Sequence, residues 1–266
     1  MTDTPDKPTH HTAEVAQSHH HVSQPQTEHK HKKARHLVKA AKKLFGISDI
    51  ANSWIFWLDV VLNIIIIVAL VAIIRTYLIS PFQVYGPSMC DTLNFVDGTC
   101  QRAYGEYLIV NKLGYENFFG WQVGTPKRGD IIVFHPPQND AEFFIKRIIG
   151  LPGETVELKS GKVYIYNAEH PEGMELPEPY LNATNSGNTH PYNRENTIFE
   201  VPKDKYFVMG DNRTASSDSR SCFQETASSN PCSGKSPFLT MDHIEGKAWL
   251  ILWPLNKISI LKDPSY

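Results

Sequence analysis

Phe143-Phe144-Ile145-Lys146-Arg147-Ile148-Ile149-Gly150-Leu151-Pro152-Gly153 is the stretch from which the rest of the chain can be read. Its apolar and β-branched residues run from Phe143 to Ile149, and the Gly/Pro cluster behind them closes the run, the pattern of a strand ended by a turn. Side chains alternate along a strand, so Phe144, Lys146 and Ile148 share one face and the ammonium lies between two large apolar groups. Burial disfavours charge and can lower a lysine pKa by several units, leaving a neutral amine that can take up a proton near neutral pH. The competing reading of Lys146 is a surface lysine paired with an acid.

Similar short runs lie on both sides: Tyr107 to Val110, Asp130 to His135, Thr155 to Leu158, Val163 to Tyr166, Tyr206 to Met209 and Ala248 to Trp253. Gly, Pro, Asn or Asp punctuate them, which predicts a mainly antiparallel β domain over residues 75–266. Residues 167–194 are rich in Pro, Asn and Gly and read as an irregular excursion, a small subdomain or flap.

A neutral amine is chemically useful next to a weak nucleophile, and Gly86-Pro87-Ser88-Met89 supplies one. Gly and Pro break regular structure and put Ser88 on an exposed turn. A serine hydroxyl attacks only when a neighbour takes its proton. Lys146 is the favoured base. Of the histidines after the apolar run (His135, His170, His190 and His243), His135 ends a convincing strand and stays open as a rival.

Upstream, Trp54 to Ile74 is apolar and, at the helical rise, covers about 30 Å, the thickness of a bilayer core. Asp59 and Asn63 interrupt it four positions apart, on one helical face. A single transmembrane helix over 54–74 is expected. Lys30, Lys32, Lys33, Arg35, Lys39, Lys42 and Lys43 crowd the side before it, so the positive-inside rule puts the N-terminus in the cytoplasm and Ser88 across the membrane. Residues 36–53 read as a basic amphipathic juxtamembrane segment or simply a solvated positive flank, and residues 1–35, rich in His and Lys, as a disordered tail. The whole chain, 266 residues with a net charge of -2, carries no field suited to nucleic acid.

Four cysteines, Cys90, Cys100, Cys222 and Cys232, follow the apolar run at spacings unlike zinc signatures, so no metal or cofactor is expected. They are either free thiols or disulfides; of the three possible pairings the local one, Cys90 with Cys100 and Cys222 with Cys232, is favoured.

Four boxes in order after the span carry a resemblance: Ser88-Met89 with Thr92-Leu93; Gly129-Asp130-Ile131-Ile132-Val133-Phe134; Lys146-Arg147-Ile148-Ile149-Gly150-Leu151-Pro152-Gly153; and Gly210-Asp211-Asn212-Arg213 with Ser216, Asp218, Ser219 and Arg220. Together they resemble bacterial type I signal peptidases over most of residues 55–220. The resemblance implies an antiparallel β catalytic domain of that type on a membrane anchor, acting by a Ser/Lys dyad on the outer face of the cytoplasmic membrane. Its substrates would be secretory precursors, cut after small residues (Ala-x-Ala). It further implies Ser88 as nucleophile, Lys146 as general base and Ser216 as the hydroxyl that hydrogen-bonds and orients the lysine. Asp211, Arg213, Asp218 and Arg220 become a supporting shell, and Phe82, Gln83, Val84 and Tyr85 the edge that pairs with substrate. Met89, Leu93 and Phe144 are either the wall of a small apolar pocket or ordinary core.

The chain departs from the family pattern in three places. Gly86 stands where many members place a second oxyanion-binding serine, Asp91 stands where most have proline, and Cys222 to Cys232 looks like a stapled insertion. Phe118, Phe119 and Trp121 are expected in a loop that dips into the lipid surface. Two other readings stay open: a catalytically inactive membrane-anchored peptide-binding β module, and a Ser/Lys processing peptidase of narrow substrate range.

Overall fold

The computed structural model describes residues 47–266 apart from 97, 116, 119, 120, 123, 194, 195, 225–231 and 233. The tail and most of the basic segment expected over residues 1–53 fall outside the described residues.

Helix α1 (Ile47–Ile73) covers the apolar run and continues through a π-helical turn at Ile74–Leu78. Within the candidate span Ser53–Leu78, long and apolar enough to cross a membrane, no residue of the apolar window is buried by protein. The Asn63 side-chain amide donates to the Asp59 carbonyl at 2.8 Å, so one of the two polar interruptions is satisfied within the helix itself.

Sixteen strands, mainly short, follow among the described residues. They are β1 (Ile79–Tyr85), β2 (Phe95–Val96), β3 (Thr99–Cys100), β4 (Tyr104–Asn111), β5 (Asn117–Phe118), β6 (Trp121–Gln122), β7 (Ile131–Phe134) and β8 (Phe144–Gly150). The rest are β9 (Thr155–Lys159), β10 (Lys162–Tyr166), β11 (Met174–Glu175), β12 (Ile198–Glu200), β13 (Lys205–Met209), β14 (Leu239–Thr240), β15 (Ile244–Trp253) and β16 (Ser259–Ile260). An eight-stranded sheet runs β1-β4-β15-β7-β8-β13-β14 with β16 beside β15, and a four-stranded sheet runs β11-β10-β9-β12; their pairings are antiparallel. The mainly antiparallel β fold read from the sequence is the one observed. Phe118 and Trp121 face each other across the hairpin β5–β6, while Phe119 and the side chains of all three aromatics lie outside the described residues.

Apolar alternation builds the core in three clusters. One lies under the small sheet (Val156, Val163, Ile165, Phe199, Phe207), one around Phe134, Ile148 and Val208, and one around Val84, Met89, Leu93, Leu108 and Ile131. The third ties β1 to the turn that follows it. Strand β8 lies between β7 and β13, and from Lys146 to Gly150 every residue is buried. A central strand covered on both faces is what brings a lysine and an arginine inside together.

Two disulfides close local loops, Cys90–Cys100 with Cα atoms 5.6 Å apart and Cys222–Cys232 at 5.1 Å, so the free-thiol alternative is set aside in favour of the local pairing. Over residues 167–193 the chain has little regular structure beyond β11, but it does not hang free. Glu178 pairs with Arg213, the Tyr180 ring covers the Arg147 guanidinium at 3.9 Å, and the Tyr192 hydroxyl donates to the Ser216 carbonyl at 2.7 Å.

Candidate active site

Ser88 sits on the turn that leaves β1, as the Gly/Pro stretch before it predicts. Gly86 has φ +85 and open space where a Cβ would be, so it is glycine for its backbone conformation and not for lack of room. The turn is held from the far side of the sheet. The Asn212 backbone N–H donates to the Ser88 carbonyl at 3.0 Å, and the Asn212 side-chain amide to the Pro87 carbonyl at 3.1 Å.

Lys146, opposite Ile132 on β7, reaches this turn from β8. Its Nζ lies 2.8 Å from Ser88 Oγ across a sequence separation of 58, and 2.8 Å from the Ile145 carbonyl. The Phe144 ring is 5.1 Å away and the residue is 3% exposed. Burial brings the amine down to about 8; Asp218 and Asp211 pull it the other way, and Arg220 adds to the lowering. The two groups that sequence reasoning placed far apart along the chain therefore meet, and the amine is poised to lose its proton near neutral pH.

Around this pair the supporting residues enter three ion pairs, with Arg220 on Asp218, Arg147 on Asp211 and Arg213 on Glu178. Arg220 Nε and Nη2 donate to the two oxygens of Asp218 at 2.9 and 2.8 Å, and the Gly210 N–H donates to Asp218 at 3.0 Å. Burial works against the Asp218 charge, but Arg220 and the Gly210 N–H outweigh it and hold the carboxyl below its usual range. Arg147 Nε and Nη2 donate to Asp211 at 2.8 and 2.6 Å, and Thr92 Oγ1 donates to Asp211 at 2.5 Å. Arg213 meets Glu178, Thr189 and the Gly210 carbonyl.

Ser216 departs from its expected contact. Its hydroxyl is buried without a hydrogen-bond partner, and the Lys146 amine bonds to Ser88 and the Ile145 carbonyl instead. Asp218 is near enough to feel the Ser216 hydroxyl dipole without meeting hydrogen-bond geometry. A Cβ on Gly210 would come within 2.2 Å of Ser216 Oγ and 2.4 Å of the Ser88 carbonyl oxygen, so the absent side chain at 210 is what lets the two serines approach.

A cleft of about 870 Å³ opens over Ser88 and Lys146. Phe82, Gln83, Val84 and Tyr85 form one wall, Glu142 to Ile145 the other, and Tyr192 and Ala215 to Ser217 also line it. Strand β1 is an edge of the large sheet, with a row of backbone groups not used by β4, which suits it to receive an extended peptide. Phe144 lines the cleft, whereas Met89 and Leu93, 1% and 0% exposed, lie in the core with Val84 and Leu108. Sequence reasoning quoted Thr92 and Arg147 among the boxes without giving either a role in the site, and it did not name Tyr192; the apolar run around Arg147 was the available signal that its charge had to be buried and paired. Among the described residues no cluster of His, Cys, Asp or Glu is arranged to hold a metal ion.

Residues 57–253 match the profile of the family described as "Signal peptidase, peptidase S26". Signal peptidase I P of Bacillus subtilis subsp. natto is 36% identical over 208 residues, covering 73% of this chain and 88% of its own length. Signal peptidase IB of Staphylococcus aureus (strain MRSA252) is 28% identical over 218 residues, covering 78% of this chain and 95% of its own. The crystal structure of a signal peptidase I from Enterococcus faecalis V583 is 34% identical, with a TM-score of 0.32 over 46% of this chain and 96% of that one. The chain therefore belongs to the signal peptidase family, peptidase S26, whose members are serine endopeptidases that remove signal peptides from exported precursors.

Proposed function

We propose that this serine endopeptidase works by a Ser88/Lys146 dyad, is anchored in the cytoplasmic membrane by α1 with residues 1–46 in the cytoplasm, and cleaves secretory precursors after small residues. The observation that carries the dyad is the 2.8 Å approach of Lys146 Nζ to Ser88 Oγ, with the amine buried and its pKa brought down to about 8. In the neutral state the Ser88 hydroxyl donates to the amine lone pair. Attack transfers that proton to Nζ as the Oγ–carbonyl bond forms, and the resulting ammonium returns it to the leaving amine as the peptide bond breaks. Water then repeats the exchange on the acyl-enzyme. The Ser88 backbone N–H is the donor for the developing oxyanion, and Ser216 orients the ammonium once the proton has arrived. Asp211, Arg213, Asp218 and Arg220 hold these groups in register.

Substrate is bound as an added strand along Phe82–Tyr85, with the side chain before the scissile bond against Val84 and Phe144 and with Met89 and Leu93 as the floor beneath. Membrane attachment is supported by the length and exposure of α1, and by Trp249, Trp253, Leu255 and Ile260, which stand exposed on and beside β15 and β16. The basic cluster before α1 supports the orientation. To test the reading, the purified protein in detergent is incubated with a precursor whose leader ends in Ala-x-Ala. Ser88→Ala and Lys146→Ala each lose nearly all cleavage while staying folded, and wild-type turnover in either would refute the dyad.

A further inference from the structure

The residues that follow Ser88 are tied to different parts of the chain. Met89 is buried in the core, Cys90 is bonded to Cys100, and Thr92 donates to Asp211. Asp91, which the dyad chemistry does not use, accepts three hydrogen bonds. They come from the Asn182 backbone N–H, the Asn182 side-chain amide and the Asn185 side-chain amide, each at 2.8 Å. A carboxylate only accepts, and all three groups facing it are donors, so the residue type fits the place.

Asn185 carries the linkage onward. It is 3% exposed, and its side-chain oxygen accepts from the Thr214 N–H at 3.3 Å. Thr214 belongs to the loop whose Asn212 N–H donates to the Ser88 carbonyl at 3.0 Å. The connections close into a ring running from Ser88 through Asp91, Asn185, Thr214 and Asn212 back to Ser88. Burial raises the Asp91 carboxyl above its ordinary range in spite of the Asn182 and Asn185 donors. A carboxyl whose folded pKa is raised weakens the fold once it is ionised, so at neutral pH this charge is kept at the expense of stability.

We infer that Asp91, acting through Asn182 and Asn185, is a positioning residue that sets where Ser88 Oγ stands relative to Lys146 and Ser216. This rests on the reading of Ser88 as the nucleophile and adds to it a determinant of turnover outside the dyad. Misplacement of a reacting group by about 1 Å can slow a reaction by about a hundredfold, so loosening one link of the ring shows in kcat.

The test uses the full chain in detergent with the same precursor, and compares Asp91→Asn, Asn185→Ala and the double variant. Asp91→Asn is nearly isosteric but places a donor among donors. Its kcat falls by about tenfold or more with KM within about twofold of wild type, and its unfolding midpoint is no lower. The double variant falls close to Asp91→Asn alone, because both changes cut the same linkage. A folded Asp91→Asn with kcat within about twofold of wild type, or a double variant that loses the product of the two single losses, overturns the inference. Should Asp91→Asn not fold, Asn185→Ala decides: about threefold or more off kcat at unchanged KM supports the inference, and wild-type kcat overturns it. Ser88→Ala separates the two levels. Residual wild-type cleavage there removes the nucleophile itself, whereas an inactive Ser88→Ala beside a fully active Asp91→Asn removes only the positioning role.

Discussion

Arg147 and Asp211 form a two-point ion pair at 2.8 and 2.6 Å with almost no solvent, 1% and 0% exposed. Arg147 follows Lys146 in β8, Asp211 follows the glycine that lets the two serines approach, and Thr92 from the Ser88 turn completes the group. Three segments of the site are thus joined at one carboxylate. Burial works against the Arg147 charge, but Asp211 outweighs it and keeps the guanidinium protonated.

Removing one partner leaves the other charge buried and alone. Asp211→Ala is expected to lose about 3 to 5 kcal/mol of stability, while Arg147→Met combined with Asp211→Leu loses less than either single change. Urea unfolding of wild type, Asp211→Ala, Arg147→Met and the double variant measures this. Equal losses in the single and double variants would contradict it.

The pH dependence of turnover follows from the lysine. With its amine brought down to about 8, Lys146 is mostly protonated at pH 6 and mostly neutral at pH 9. When the chemical step limits, kcat rises about tenfold per pH unit on the acid side and levels off above 8. A flat profile between pH 6 and 9 would show that another group takes the serine proton.

The same lysine weakens the fold. Its amine is lowered from 10.5 to about 8, so the unfolded chain binds the proton more tightly. The penalty is fully present below pH 8 and disappears as pH rises toward 10.5; it is about 3 kcal/mol when complete. Lys146→Met should therefore unfold at higher temperature than wild type at pH 7, with the gap closing by pH 10. A variant less stable at both pH values would count against this balance.

Gly210→Ala puts a methyl group within 2.2 Å of Ser216 Oγ and 2.4 Å of the Ser88 carbonyl oxygen. Neither neighbour can move without shifting the nucleophile turn or the loop facing it. Cleavage is expected to fall about a hundredfold with the β-sheet circular dichroism signal retained. Activity within about threefold of wild type would mean that the turn is softer than the packing suggests.

Strand alternation and the Gly/Pro turn are local signals and singled out Lys146 and Ser88 one at a time, whereas their pairing across 58 positions was implied by the family resemblance and by no local pattern. The burial of Arg147 could not be read, because alternation put it on the face opposite Lys146 and nothing local told that this second face was also covered, with the Tyr180 ring over the guanidinium and Asp211 beside it. Strands such as β8 and β13 were read to within a residue at each end, the longer β4 and β15 were each read four residues short, and pairs such as β2–β3 are two residues long and show no period. The role of Asp91 was invisible for a different reason, since its partners lie 91 and 94 positions away and in a segment with no regular pattern. Ser216 was located within the site, but its orphaned hydroxyl is a matter of ångströms that residue order does not encode.

Strand β1 begins at Ile79, the residue directly after the helical turn ends at Leu78. A gene shortened at that junction loses the Leu78 carbonyl that accepts from the Lys112 N–H at 2.9 Å and the Thr76 carbonyl that accepts from Lys112 Nζ at 3.3 Å. Each residue trimmed beyond it strips a rung from the ladder with β4, first Ile79 against Asn111, then Ser80 against Val110, and soon the cleft wall at Phe82.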